Sequence, residues 1–359
     1  MLFLCMLVSV SLLHGEQSNQ AGNAKPIPIA KGDKWGYIDV SGKFVIEPRF
    51  EGAAFFSEGV AAAKLDSKWG FIDRSGRFVI DPQFDFVHSF KDGLALVWTG
   101  GEQGKVGWVG GKYHYIDKTG RTVVQVGFDF ADDFAEGMAR VWQDGMCGYI
   151  NRKGELVVET QYKFGGGFSE GLASFWIGES YTARELIDEE IAAYYDEYDS
   201  VFVTYDGEEI TFPEGKFGYI DKRGEVKIFP EFDFAGAFSD GLANVKIGGK
   251  WGYVNEDGEV VIEAIYDEAL PFSQGLAPVR IEERWGYIDK AGVKAIKARY
   301  ISCGPFVDGN ARVRTDRGWG YIDRKGRLVI EDQFEWADDA YGGLMRVRRG
   351  GESLYLNVK

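Results

Sequence analysis

Residues Gly167–Gly171 read GFSEG, the G-x-S-x-G pattern that lifts a hydrolase serine out of a strand, so Ser169 is the first candidate nucleophile. In that fold the triad histidine follows the serine, whereas His14, His88 and His114, the three histidines of the chain, all precede it. The serine also recurs as Ser57, Ser239 and Ser273 in F-S-x-G segments that lack the first glycine. It belongs to a repeated element, and no catalytic residue is assigned. The pairs Asp132-Asp133 and Asp338-Asp339 have the residue types of acid–base chemistry. That chemistry needs one carboxyl desolvated or set against a partner, and the pairs read as solvated loop charges. Three histidines do not make a histidine-rich metal site, and neither metal nor cofactor is expected.

Binding chemistry has a better candidate in Trp98, Trp142 and Trp176. Each stands five residues after a recurrent glycine, where the other repeats carry Lys64, Lys246, Arg280, Arg314 and Arg348. A column so basic faces water, while its neighbour one place earlier (Val97, Val141, Phe175, Val245 and others) is the buried face of the strand. Strand alternation then predicts three tryptophans of consecutive repeats side by side on a solvated surface. There they would stack on sugar rings or receive apolar side chains of a protein. The competing expectation is that the extra segments beside Trp98 and Trp176 fold over these rings.

The elements that position these residues are repeats. A glycine closing a D-x-x-G turn falls at Gly42, Gly76, Gly120, Gly154, Gly224, Gly258, Gly292 and Gly326, in steps of 34, 44, 34, 70, 34, 34 and 34. The F-S-E-G glycine, from Gly59 to Gly343, keeps the same steps, as does the column Trp35, Trp69, Tyr113, Cys147, Phe217, Trp251, Trp285 and Trp319. Three columns in one register define eight 34-residue units, with insertions near 100–111 and 178–213 and a truncated unit at 350–359. Within a unit, K-W-G-Y-I alternates as a strand. D-x-x-G is a tight turn, F-V-I-E-P a second strand and G-L-A-N-V-K-I a third. The indole is read as core, and the following glycine as allowing close approach by a neighbouring repeat.

The recurrence of Trp-Gly with D-x-x-G and F-S-E-G resembles the bacterial WG-repeat (KWG-repeat) family over roughly residues 31–359. That resemblance implies a β-rich repeat module, often exported, with no established catalytic role and no functional residues to carry over. The expected fold is an all-β tandem array of about eight three-stranded meanders, stacked as an open superhelical solenoid, with a closed propeller-like ring as the alternative. One helical insertion is expected at Ala183–Tyr195, where apolar residues follow helical spacing. Its acidic set, Glu189, Glu190, Asp196, Glu197 and Asp199, matches no EF-hand loop and reads as a solvated face; a degenerate further repeat is the other reading of this segment.

Composition narrows the functional classes. Apolar residues at 45% and 49 glycines suit short strands joined by many turns, and a net charge of −15 disfavours nucleic acid. Residues 1–15 contain an apolar run of signal-peptide size, too short to span a membrane, and 16–30 read as a linker. The expectation is therefore an exported (periplasmic, cell-surface or secreted), non-enzymatic protein whose extended surface binds a protein or cell-envelope glycan. The alternative is a glycan-active enzyme or sugar-binding module using the central insertion and the Trp98, Trp142 and Trp176 stripe.

Overall fold

The computed structural model describes residues 26–39, 41–103, 108–178, 194–195, 202–203, 215–340 and 344–357. Among the described residues all regular structure is antiparallel β, arranged as nine successive repeat sheets plus one two-residue pair. The second sheet shows the design: Gly52–Ala53, Ala61–Leu65, Lys68–Ile72 and Phe78–Phe84 pair in chain order. The third sheet (Phe86–Val87, Ala95–Gln103, Trp108–Ile116, Thr122–Gln125) and the fourth (Phe130–Ala135, Met138–Gln143, Met146–Asn151, Leu156–Tyr162) repeat it. So do the sixth, from Phe234–Ser239 to Val260–Tyr266, the seventh, from Glu268–Ala269 to Lys294–Tyr300, and the eighth, from Ser302–Cys303 to Leu328–Phe334. Among the described residues the first sheet (Ile27–Lys31, Lys34–Ile38, Phe44–Phe50) has no counterpart of the first strand, and the ninth (Trp336–Ala337, Leu344–Arg349, Glu352–Asn357) none of the fourth. The fifth pairs Leu172–Gly178, Gly215–Asp221 and Val226–Phe232, with a bridge from Gly165 to Phe175 standing in for the first strand.

Three expectations are corrected. The segment read as irregular, such as Phe234–Ser239, is a short first strand, so the repeating element is a four-stranded up-and-down sheet of propeller-blade type and not a three-stranded meander. Residues 27–30, placed in the linker, belong to the first strand, Ile27–Lys31. Most of the helix expected at Ala183–Tyr195 lies outside the described residues, but Tyr194–Tyr195 pairs with Phe202–Val203 as a strand, so no helix extends through those two positions.

The turns follow their sequence. Asp73 accepts backbone hydrogen bonds from Ser75 at 2.8 Å and Arg77 at 3.1 Å, and Gly76 takes φ +83°. The Ser75 hydroxyl, helped by these amides, holds the Asp73 carboxyl down at about 2.

The Trp-Gly glycine has a cause the sequence did not reveal. In the second sheet Trp69 opposes Phe84 and Phe71 opposes Ile80, so the single residue Gly70 faces three residues of the outer strand. A Cβ at Gly70 would stand 2.5 Å from the Ile80 carbonyl oxygen and 2.7 Å from the Pro82 nitrogen. The close approach comes from the outer strand of the same sheet, not from a neighbouring repeat. One departure tests this within the chain. Where His114 replaces the glycine, the outer strand Thr122–Gln125 pairs His114 directly with Gln125 and runs four residues instead of seven. Leu354 stands at the same position of the ninth sheet and faces no outer strand among the described residues.

Successive sheets interlock. From Tyr37 to Tyr321 the tyrosine column is fully buried, and Tyr37, Tyr219, Tyr253 and Tyr287 donate their hydroxyls to Ala54, Gly236, Leu270 and Gly304 carbonyls of the following sheet at 2.7–2.8 Å. Burial drives these phenols well above their ordinary pKa, so they remain donors. Apolar cores lie between sheets: Trp69, Phe71 and Ile80 of the second pack with Phe90, Val97 and Ile116 of the third. The chain divides into two compact units, residues 1–144 with 148–160, and 145–147 with 161–359.

Gly252 has the same surroundings as Gly70, its Cβ position lying 2.5 Å from the Ile262 oxygen and 2.8 Å from the Ala264 nitrogen. Gly252→Ala is expected to destabilise by about 1–3 kcal/mol through overpacking, whereas Leu354→Gly should change stability by less than about 1 kcal/mol. Denaturant melts of both variants check this; equal losses would refute the role given to the outer strand.

Candidate functional site

The serine column is structural. Ser57, Ser169, Ser239 and Ser273 donate their hydroxyls to the carbonyls of Phe90, Phe238, Phe272 and Phe306 in the following sheet at 2.6–2.7 Å. Beside each serine a residue with positive φ extends an acceptor to the next sheet: Glu58 to the Gly93 amide at 3.0 Å, Asp240 to Gly275 at 2.6 Å and Gln274 to Gly309 at 3.0 Å. F-S-E-G is thus a clasp between sheets, and Ser169 is engaged as a donor within it.

The tryptophan stripe is not an exposed ladder. Trp98 and Trp176 are buried at 7% and 3% exposure, and Trp142 is half-buried. In the register of the sheets, Lys64, Lys246, Arg280 and Arg314 lie opposite Trp69, Trp251, Trp285 and Trp319. Trp98 lies opposite Tyr113, and Trp176 opposite Phe217. By the same hairpin spacing Trp142 and Cys147 occupy the two corresponding positions. The stripe is the Trp-Gly indole moved across the ladder: in the third, fourth and fifth sheets the third strand lacks its tryptophan and the second strand supplies one. Comparing the two columns as cross-strand partners would have revealed the exchange in the sequence.

What covers the displaced rings differs. The residues near 100–111 lengthen the hairpin of the third sheet, and a Cβ at Gly101 or Gly111 would overlap the Trp98 indole nitrogen. Gly215 similarly lies against Trp176, whose ring meets Phe164 at 5.8 Å. Trp98, Tyr113, Phe130 and Trp142 form a continuous edge-on aromatic run within the first unit, with centroid separations of 4.1, 5.7 and 5.1 Å. Phe130 is 40% exposed, and Arg140 stacks over Trp142 at 4.6 Å.

Beside this run lies a cluster of charges in the first unit. Asp132 and Asp133 are strand residues of Phe130–Ala135, not solvated loop charges. Asp132 receives the Arg140 Nε at 2.8 Å, and its carbonyl accepts from the Tyr115 hydroxyl. Asp133 bonds His88 Nδ1 at 2.7 Å and Lys91 Nζ at 2.9 Å. Burial alone would raise the Asp133 carboxyl, but the His88 and Lys91 charges hold it at about 2. In the second unit, Asp338 binds Arg346 at 2.6 Å and Asp339 binds Arg312 at 2.9 Å. Each carboxylate pair is thus matched by cations at hydrogen-bond distance. Among the described residues no three or more metal-ligating side chains gather, and no helix is long and apolar enough to cross a membrane.

Trp98→Ala is expected to cost about 3–5 kcal/mol, and Trp98→Lys combined with Tyr113→Trp to recover most of it by restoring the arrangement of the sixth sheet. Thermal melts of the three proteins decide it; a double variant no better than Trp98→Ala would refute the exchange.

The repeats are matched by the model described as "WG containing repeat" at residues 35–69, 69–101, 115–147, 148–175, 217–251, 251–285, 285–317 and 319–352. No curated protein matches. Among solved structures, one described as the crystal structure of the eukaryotic initiation factor is 9% identical, with 92% of this chain and 90% of that one covered and a TM-score of 0.57. The apo structure of AztD from Citrobacter koseri is 13% identical over 93% and 92% of the two chains, with a TM-score of 0.41. The first of these likenesses is one of fold alone. With eight matches in register with the sheets, the chain belongs to the WG-containing repeat family.

Proposed function

We propose that this is a non-enzymatic scaffold acting outside the cytoplasm, whose sheets hold a partner protein on their outer strands. The observation that carries this reading is a repeated half-exposed valine on those strands. In the first unit Val45, Val79, Val123 and Val157 are 39–46% exposed in four successive sheets. In the second unit Val261 and Val329 continue the column at 46% and 38%, and Phe229 and Ile265, also on outer strands, reach 77% and 66%. Apolar side chains left in water at regular intervals suit an extended apolar contact. A protein fits better than a glycan, because Trp98 and Trp176 are too covered to serve as sugar platforms. Their burial equally weakens the reading as a glycan-active enzyme, while the serines, Asp133 and Asp339 are engaged between sheets and Asp132 and Asp338 are paired with arginines of their own sheets. The apolar run within residues 1–15 supports export.

Phe229→Asp with Ile265→Asp should leave the melting temperature within a few degrees, since both side chains are exposed. The pair should reduce by about tenfold or more the partner recovered by cross-linking from envelope extracts, relative to the unmodified chain. Undiminished recovery, or retention on envelope polysaccharide instead, would overturn the proposal.

A further inference from the structure

We propose that the seam between the third and fourth sheets is a pH-sensitive latch, fastened while His88 is protonated and loosened when it is not. The geometry is a cross-seam clamp. His88 follows the first strand of the third sheet, Phe86–Val87, and its Nδ1 meets Asp133, on the first strand of the fourth, at 2.7 Å. The groups facing His88 are Asp133 and Asp132 from the fourth sheet, Lys91 from its own sheet, and the edge-packed ring of Phe86 at 5.2 Å. Arg140 and Tyr115 fix Asp132 in place.

The chain contains a counterpart without the titrating group. At the seam of the eighth and ninth sheets, Asp338 and Asp339 occupy the positions of Asp132 and Asp133, and Arg346 holds Asp338 as Arg140 holds Asp132. The cross-seam cation there is Arg312, 2.9 Å from Asp339, charged at every physiological pH. Other sheets place Gly166, Gly236, Leu270 or Gly304 at the position of His88. The seam of the third and fourth sheets therefore adds a switchable cation, His88, to the permanent Lys91, whereas its counterpart holds Asp339 with the permanent Arg312.

Burial by itself would lower the His88 pKa, but the Asp133 charge and hydrogen bond outweigh it and leave the value raised. A raised value means that the stabilisation is complete below the ordinary histidine value of about 6.5 and is lost as pH rises through the higher folded value. Asp133 stays ionised throughout and keeps its Lys91 partner, so the seam loosens without coming apart.

With only three histidines in the chain, the His88 ring is assignable by NMR in the intact protein. Its titration should lie above the free value. Amide protection along Phe130–Ala135, referenced to Leu344–Arg349 of the ninth sheet, should fall across that titration by roughly tenfold for each unit by which the pKa is raised. His88→Asn should show the low-protection level at every pH. A His88 titration at or below the free value, or a protection ratio flat through it, would overturn the latch.

Discussion

The fold depends on how closely the outer strand of each sheet lies against the third. That strand carries two more residues than its partner between the Trp and Tyr pairs, and the excess backbone settles onto the Trp-Gly glycine. The bulge turns the strand and brings Phe84, and its equivalents Phe50, Phe232 and Phe334, back opposite the tryptophan or its substitute. Tryptophan, glycine and aromatic therefore form one device. His114 shows its limit, since it coincides with an outer strand that is shortened.

Given such sheets, the remaining polar groups serve to align one with the next. Tyrosine hydroxyls, serine hydroxyls and the acceptors beside the serines all cross to the following sheet. The lysine before Trp-Gly does the same on the other end, Lys250 reaching Asp267 at 2.5 Å. The lysine pairs are exposed, so solvent screening leaves them little weight in stability. The buried hydroxyls matter more, because an unpaired polar group at those depths costs about 1–3 kcal/mol. Recurrent motifs that look like chemistry at single positions are the fastenings of a modular fold, where each sheet contacts mainly its neighbours.

The period, the turn residues and the all-β character were legible in the sequence because each rests on local chemistry. D-x-x-G needs only its own four residues, and alternation shows a strand's two faces without reference to partners. The short first strand was not legible. Two residues such as Gly52–Ala53 or Ser302–Cys303 give no alternation to read, and only pairing with the second strand defines them. The tryptophan stripe misled for a related reason. A mostly basic column suggests solvent, but Lys64 and Trp98 share a position whose environment is set by the cross-strand partner, Trp69 in one sheet and Tyr113 in the other. The Asp133 clamp was hidden because His88 lies 45 residues away in the sequence.

The indole exchange and the insertions belong to one physical account. In the third and fifth sheets the tryptophan sits on the second strand, near the hairpin that leads to the third, and in both sheets that hairpin carries the added residues. Gly101 and Gly111 lie against the Trp98 ring and Gly215 against the Trp176 ring, where a Cβ would overlap the indole. The fourth sheet has the exchange without an insertion, and there Arg140 takes the place of a cover. Residues 179–214 hold twelve acidic side chains and one arginine, a net −11 of the chain's −15, leaving −4 for everything else. The regular repeats are thus close to neutral, and the charge that distinguishes this chain is concentrated at one hairpin. A partner attracted by long-range electrostatics would be drawn first to that hairpin and not to the repeat surface. Apolar contact along the outer strands and steering by the acidic segment would then act at successive stages of a single encounter.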